Sequence, residues 1–127
     1  MKREILFRGK SIEPSTEGKW IIGSLVVHGN CSYILPEIPF TPFGIVKYRV
    51  DPETVCQFTG ETDSNGSLIF DGHIFSDDTG IKYIVFWDDK GQWCASDEFG
   101  ETELLSDIIT DTTNIIGNIH DNKELLS

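Results

Sequence analysis

The sequence has few cysteines and no Cys-x-x-Cys: Cys31, Cys56 and Cys94 are its only three, scattered far apart. An odd, dispersed set excludes a disulfide framework and the usual zinc spacings, so they read as reduced thiols among apolar and β-type neighbours. No apolar run approaches the roughly 20 residues that cross a bilayer, and the opening MKREILFRGK lacks an apolar stretch followed by small residues. A cytosolic protein with no membrane association is the expectation. Gly-x-Ser-x-Gly, the P-loop and Gly-x-Gly-x-x-Gly are also missing, which removes support for hydrolase, nucleotide-binding and Rossmann readings. Basic residues are scarce, ten Lys and Arg against 21 Asp and Glu, for a net charge of -11. Most of such a surface repels phosphate, so nucleic acid is disfavoured as a partner. An acidic surface serves solubility, or docks something basic.

What is present suits one packed fold. With 127 residues, 39% hydrophobic and 11% aromatic, the chain can fill one core, which predicts a single domain over 1–127 or two packed lobes of about 1–55 and 56–127. No 3.6-residue apolar period lasts three turns, whereas alternating runs recur between turns, so the class is mainly β. EILFRG and KWIIGSLVVH read as strands joined through the polar SIEPSTEG. SYILPEIPFTPFG, with Pro36, Pro39 and Pro42, reads as a surface loop or ragged edge. GIVKYRV resumes a strand with Ile45, Lys47 and Arg49 on one face. Asp51-Pro52-Glu53-Thr54 caps a short turn, Thr59-Gly60 starts a reversal, and Asp63-Ser64-Asn65-Gly66 before SLIF is a hairpin signal. GIKYIVFWDDKGQWCA reads as a hairpin on Asp89-Lys90-Gly91 with Tyr83, Val85 and Trp87 on one face. SDEFGETELLSDIIT reads as irregular with a helical turn near Glu103 to Ser106. TNIIGNIH is a last strand, Asn122 to Leu126 a capped terminal helical turn, and no internal repeat is expected.

Chemistry-bearing residues are present but not arranged as a motif. Asp63 could open a calcium loop, but an EF-hand needs Gly at its sixth position and Glu at its twelfth, which here are Leu68 and Ile74. Asp71, His73, Asp77 and Asp78 suit a divalent ion by type; three acids and a histidine in eight residues are ordinary in so acidic a chain. His28, His73 and His120 have no nucleophile nearby in sequence, and a Cys56–His73 dyad could form only through the fold. Glu101 with Glu103, or Asp88 with Asp89, could do acid–base work only if burial split their pKa values. Trp20, Trp87 and Trp93 could stack bases on a β-surface, although a small β-core would claim at least two of them. No catalytic, cofactor-binding or metal-binding residue is therefore assigned.

Five stretches together resemble the YopX family of bacteriophage and prophage proteins: REILFRGK, KWIIGSL, VDPETVCQFTGETDSNGSLIFDGHIF, KYIVFWDD and IIGNIHDNKELL. Cys56 stands where that pattern usually has Gly, His73 where Asp is usual, and Lys123 where Pro is common. The resemblance implies a mainly β fold of small antiparallel sheets with an SH3-like barrel part and a short C-terminal helical turn, and it brings no catalytic residues. Glycines Gly60, Gly66 and Gly72 are expected to mark turns, Asp51 and Asn122 to cap, and Phe58, Phe70 and Ile74 to be core. The function expected is a non-enzymatic phage-derived binding or interaction module with a protein partner. The alternatives are an acidic decoy of nucleic acid on a basic protein surface, a nucleic-acid contact through the basic N-terminal segment, and a small metal-dependent enzyme. Monomer and oligomer are both open.

Overall fold

Short alternating runs separated by glycine turns become thirteen strands in the computed structural model, which describes residues 5–36, 40–42 and 44–126. The mainly β class holds. The chain divides into two compact units, Met1–Phe58 and Thr59–Ser127, with the division inside one strand.

In the first unit, β1 (Phe7–Lys10), β2 (Trp20–His28), β3 (Cys31–Leu35), β6 (Tyr48–Val50) and the start of β7 (Cys56–Thr62) form an antiparallel sheet ordered β6–β3–β2–β1–β7. A two-stranded ribbon, β4 (Phe40–Thr41) with β5 (Gly44–Ile45), lies apart from that ladder. β3 corrects the sequence reading. Ser32–Leu35 reads as the start of a surface loop or ragged edge, yet it belongs to a central strand between β2 and β6. The prolines begin only at Pro36, and the five residues before it alternate, with Ser32 and Ile34 buried. The rest of that loop expectation includes residues 37–39 and 43, outside the described residues. GIVKYRV is likewise split, with no strand at Val46–Lys47.

The inner face of this sheet holds Ile34 and Val50, both at 0% exposure. Complete burial of each such side chain stabilises by roughly 1.5–3 kcal/mol. Ser11 bridges Val50, and flanking bonds Ile12 N–H to Arg49 O and Asp51 N–H to Lys10 O, each 2.9 Å, curl the end of β1 toward β6. The ladder stays open, so the compact barrel-like part is a curled open sheet rather than a closed one. Gly23 permits the close approach of the chain at the end of β3, because a Cβ there would lie 1.9 Å from Leu35 O. After β6, Asp51 accepts the Glu53 N–H at 3.0 Å and caps the turn Pro52–Thr54, as its sequence predicts.

In the second unit, β7 does not reverse at Thr59-Gly60 but runs on to Thr62, beside β8 (Leu68–Phe70). Gly60 takes φ +92 without breaking the strand. A second antiparallel sheet follows, ordered β12–β11–β10–β9–β13, from β9 (His73–Ser76), β10 (Lys82–Trp87), β11 (Trp93–Asp97), β12 (Thr102–Leu104) and β13 (Asn114–Asn118). A single turn of helix, α1 (Leu105–Ile108), follows β12, so most of the stretch read as irregular is a hairpin and a helical turn. Ile69, Phe75, Val85, Ala95 and Leu105 make the core, with Tyr83 stacked on Phe75 at 5.0 Å. Of the tryptophans only Trp93 packs against this core; Trp87 is 49% exposed and Trp20 sits half-buried in the first unit.

Four loops of this unit are built alike, a repeat the sequence reading did not register. Asp63–Ser67, Asp77–Ile81, Asp88–Gln92 and Asp97–Glu101 each begin with Asp and place Gly fourth. In each, the Asp N–H donates to the fifth residue's carbonyl and the Gly N–H donates back to the Asp carbonyl. The Asp Oδ1 meanwhile accepts the N–H groups of the third and fifth residues at 2.8–3.1 Å. Positive φ of +81, +87, +79 and +89 at Gly66, Gly80, Gly91 and Gly100 closes the turns at little steric cost.

Candidate functional site

The acidic residues that looked most like ligands are occupied by the backbone. Asp63 is buried, and its Oδ2 accepts the Ile115 N–H at 3.1 Å in addition to the two loop N–H groups on Oδ1. Burial pushes its carboxyl up, but these three donated bonds outweigh it and hold it below the ordinary range. Ser64 Oγ donates to Asn114 Oδ1 at 2.6 Å, Asn65 Nδ2 reaches the same oxygen at 3.1 Å, and Ser64 N–H donates to Thr113 O. The Asp-Ser-Asn-Gly signature therefore fastens a hairpin loop to the strand that starts at Asn114.

Asp71, His73, Asp77 and Asp78 do not assemble. His73 is buried with Nδ1 accepting the Phe70 N–H at 2.8 Å, so its proton sits on Nε2. Asp77 directly follows the same strand, where the Thr79 hydroxyl at 2.6 Å, two backbone N–H groups and Tyr83 Oη hold its carboxyl below the ordinary range. Burial raises Asp71, against the opposing pull of His120 and the Gly72 N–H. Asp78 is exposed. Among the described residues, no three of His, Cys, Asp and Glu come close enough to hold a metal ion.

The remaining sequence candidates are also accounted for. Cys56 Sγ donates to Thr54 O at 3.1 Å, and His73 Nδ1 accepts the Phe70 N–H. Cys94 is buried, and burial together with the facing Asp88 carboxylate raises its thiol. Cys31 is half-exposed at the end of β3, across from the exposed His28. Glu101, Glu103 and Asp89 are exposed. Asn122 does not cap the terminal turn: its Oδ1 accepts the Asn118 N–H at 3.1 Å, and Lys123 opens the short 3-10 turn Lys123–Leu126. Two shallow concavities in the second unit, about 230 and 320 Å³, lie at or below the low end of small-molecule sites, roughly 300–1,000 Å³. Lys82, Asp97 and Glu98 line the smaller and Trp93, Glu61 and Ser106 the larger.

A different surface stands out once the register is known. Residues 1–58 carry seven Lys and Arg against six Asp and Glu, net +1, whereas residues 59–127 carry three against 15, net -12. Strands β1, β2, β3 and β6 contain no carboxylate, and their charged residues are Arg8, Lys10 and Arg49. The pairs Arg8–Ile22, Lys10–Trp20, Val26–Tyr33 and Tyr33–Arg49 put all three cations on one face with Trp20 and Tyr33, where Arg8 is buried, Lys10 and both rings are half-buried and Arg49 is exposed. The Arg8 guanidinium lies 4.0 Å from the Trp20 ring centre and Lys47 Nζ 4.7 Å from that of Tyr33. The contact from the exposed Lys47 contributes about 0.5–1 kcal/mol. Ile22 and Val26, 43% and 44% exposed, lie between the rings. The face membership of Lys47 and Arg49 was visible in the alternation of GIVKYRV, but their meeting with Trp20 and Tyr33 depends on strand pairing.

The fold and this surface define a mainly β protein of open antiparallel sheets, with acidic side chains turned to loop building and a sheet face on which half-buried rings and cations flank the exposed Ile22 and Val26. The chain belongs to the YopX protein family, whose model matches residues 27–127. No curated protein matches it. No helix among the described residues is long and apolar enough to cross a membrane.

Proposed function

We propose that the chain is a non-enzymatic binding module of phage or prophage origin, acting in the cytoplasm through the outer face of the β1–β2–β3–β6 sheet. One observation carries this reading: that face exposes Ile22 and Val26 between ring and cation pairs, while the acids that suggested chemistry serve the backbone. Exposed apolar groups interleaved with cations mark an interaction surface more readily than a solvated one. The test is affinity capture from the cells that make the protein, with Ile22→Asp combined with Arg49→Glu compared with a control at Glu98→Lys. The module reading expects the bound macromolecule to be lost with the first variant and kept with the second. Equal capture by both sinks it.

The net charge of -12 on residues 59–127 favours a second reading, an acidic surface that takes the place of nucleic acid on a basic protein. That reading expects binding to a basic nucleic-acid-binding protein that weakens steeply with salt and is competed by DNA. Binding indifferent to both excludes it.

A further inference from the structure

We infer that the outer face of the β1–β2–β3–β6 sheet takes single-stranded nucleic acid, with bases on Trp20 and Tyr33 and phosphates on Lys10, Lys47 and Arg49. The inference rests on the binding-module reading and names its ligand. The whole-chain charge argued against phosphate, but that charge is partitioned, and the four strands that build this face hold no Asp or Glu. Glu13 Oε1 accepts the Arg49 backbone N–H at 3.1 Å, and with Lys10, Lys47 and Arg49 the face keeps a cationic excess that favours an anionic ligand.

The rings narrow the class further. Along β2, Trp20 and Val26 are six residues apart on one face, roughly 20 Å at about 3.3 Å per residue, and Tyr33 pairs with Val26. That separation is long enough for several nucleotides of an extended strand, with Ile22 between as an apolar contact. An acidic peptide would use the cations but leave the rings and Ile22 idle. Duplex DNA would hide its base faces from them. Stacking on aromatics beside a cationic track is how sheet surfaces hold single strands without reading sequence, over sites of about 4–16 nucleotides.

The test uses the full chain and a fluorescein-labelled oligothymidylate of about 20 nucleotides, followed by fluorescence anisotropy. Binding is expected near 10⁻⁶–10⁻⁴ M, the range of non-specific nucleic-acid contacts. Three phosphates neutralised on a single strand give a salt slope of about -2, so raising salt from about 50 to about 300 mM weakens binding roughly 40-fold. Trp20→Ala and Tyr33→Leu are each expected to weaken it about tenfold. Arg49→Gln is expected to reduce the slope by about 0.7. Far-ultraviolet circular dichroism checks that each variant folds; should Trp20→Ala not fold, Tyr33→Leu and Arg49→Gln, on the solvent side, carry the test.

Polyglutamate at matched charge should compete poorly, and duplex DNA of the same length should bind more weakly than the single strand. The inference is overturned if the folded wild type leaves the oligonucleotide unbound at about 50 mM salt. It also falls if the ring variants bind normally while Arg49→Gln does not, or if polyglutamate competes equally well, since the face would then read charge alone and suit an acidic protein. Loss of a captured partner through Ile22→Asp with Arg49→Glu, alongside no oligonucleotide binding, would remove the nucleic acid and leave the binding module standing.

Discussion

Replacing Asp63 with Ala tests whether the acidic signature holds the fold together. The substitution removes three acceptor bonds at once, to the N–H groups of Asn65, Ser67 and Ile115. Asn65 and Ser67 are exposed, so water can replace their bonds and about 1 kcal/mol is lost for the two together. The Ile115 N–H is partly buried, and leaving it without an acceptor costs about 1–3 kcal/mol more. The expected loss is about 3 kcal/mol. Asp97→Ala is the internal control, because its loop has the same two bonds, to Phe99 and Glu101, and no third partner on another strand is seen. About 1 kcal/mol is expected there. In urea, with a slope of about 2 kcal/mol per molar, the midpoint shifts are about 1.5 M and about 0.5 M. Asp63→Asn keeps Oδ1 but turns an amide N–H₂ toward the Ile115 N–H, so it should cost nearly as much as Ala. The Asp63 carboxyl is held below its ordinary range in the fold. Its contribution is therefore present above the unfolded value, about 3.9, and lost as pH falls through the lower folded one. The gap between wild type and Asp63→Asn should thus narrow only below about pH 4. Equal midpoint shifts for Asp63→Ala and Asp97→Ala would refute the reasoning, because the bond to Ile115 would then contribute nothing.

Three further outcomes follow from particular residues. Gly23→Ala would place a methyl 1.9 Å from the Leu35 carbonyl, so β2 and β3 must separate there; a loss of about 3 kcal/mol or more is expected in thermal melts, and an unchanged melting temperature contradicts the close approach described. Burial raises Asp71, so the wild type should lose stability as pH rises from the ordinary carboxylate value through the raised one, while Asp71→Asn should not; parallel pH–stability curves for the two would disprove this. Cys31 is half-exposed while Cys56 and Cys94 are buried, so a thiol reagent on the native protein should modify one cysteine quickly and the other two only on unfolding, and peptide mapping that finds Cys94 modified first would contradict it.

Where local chemistry decides the backbone, the sequence was readable. The β10–β11 hairpin, the Asp51 cap and the positive φ at Gly66 and Gly72 all follow from residues within a few positions of one another. β3 is hidden in the sequence because three downstream prolines mask the alternation of Ser32–Leu35 just before them. The loops at Asp77 and Asp97 were missed because their acids read as surface charge, although Asp followed three residues later by Gly was the available signal. The role of Asn122 lies in its bond back to Asn118, which competes with the cap that its sequence position suggests. The outer face could not be assembled beforehand, since Arg8, Lys10 and Arg49 share a side with Trp20 and Tyr33 only through ladders spanning several strands.

The repeated five-residue loop also bears on how the second unit reaches its native state. From β9 through β12 each strand pairs with the next one in the chain, so entropy lost in closing each link is small and ordering can pass from hairpin to hairpin like a zip. Addition of β13 beside β9, with its clasp from Asp63 to Ile115, spans a much longer stretch of chain. That docking is the slow step to expect in refolding, and Asp63→Ala should accelerate unfolding far more than it retards formation of the meander.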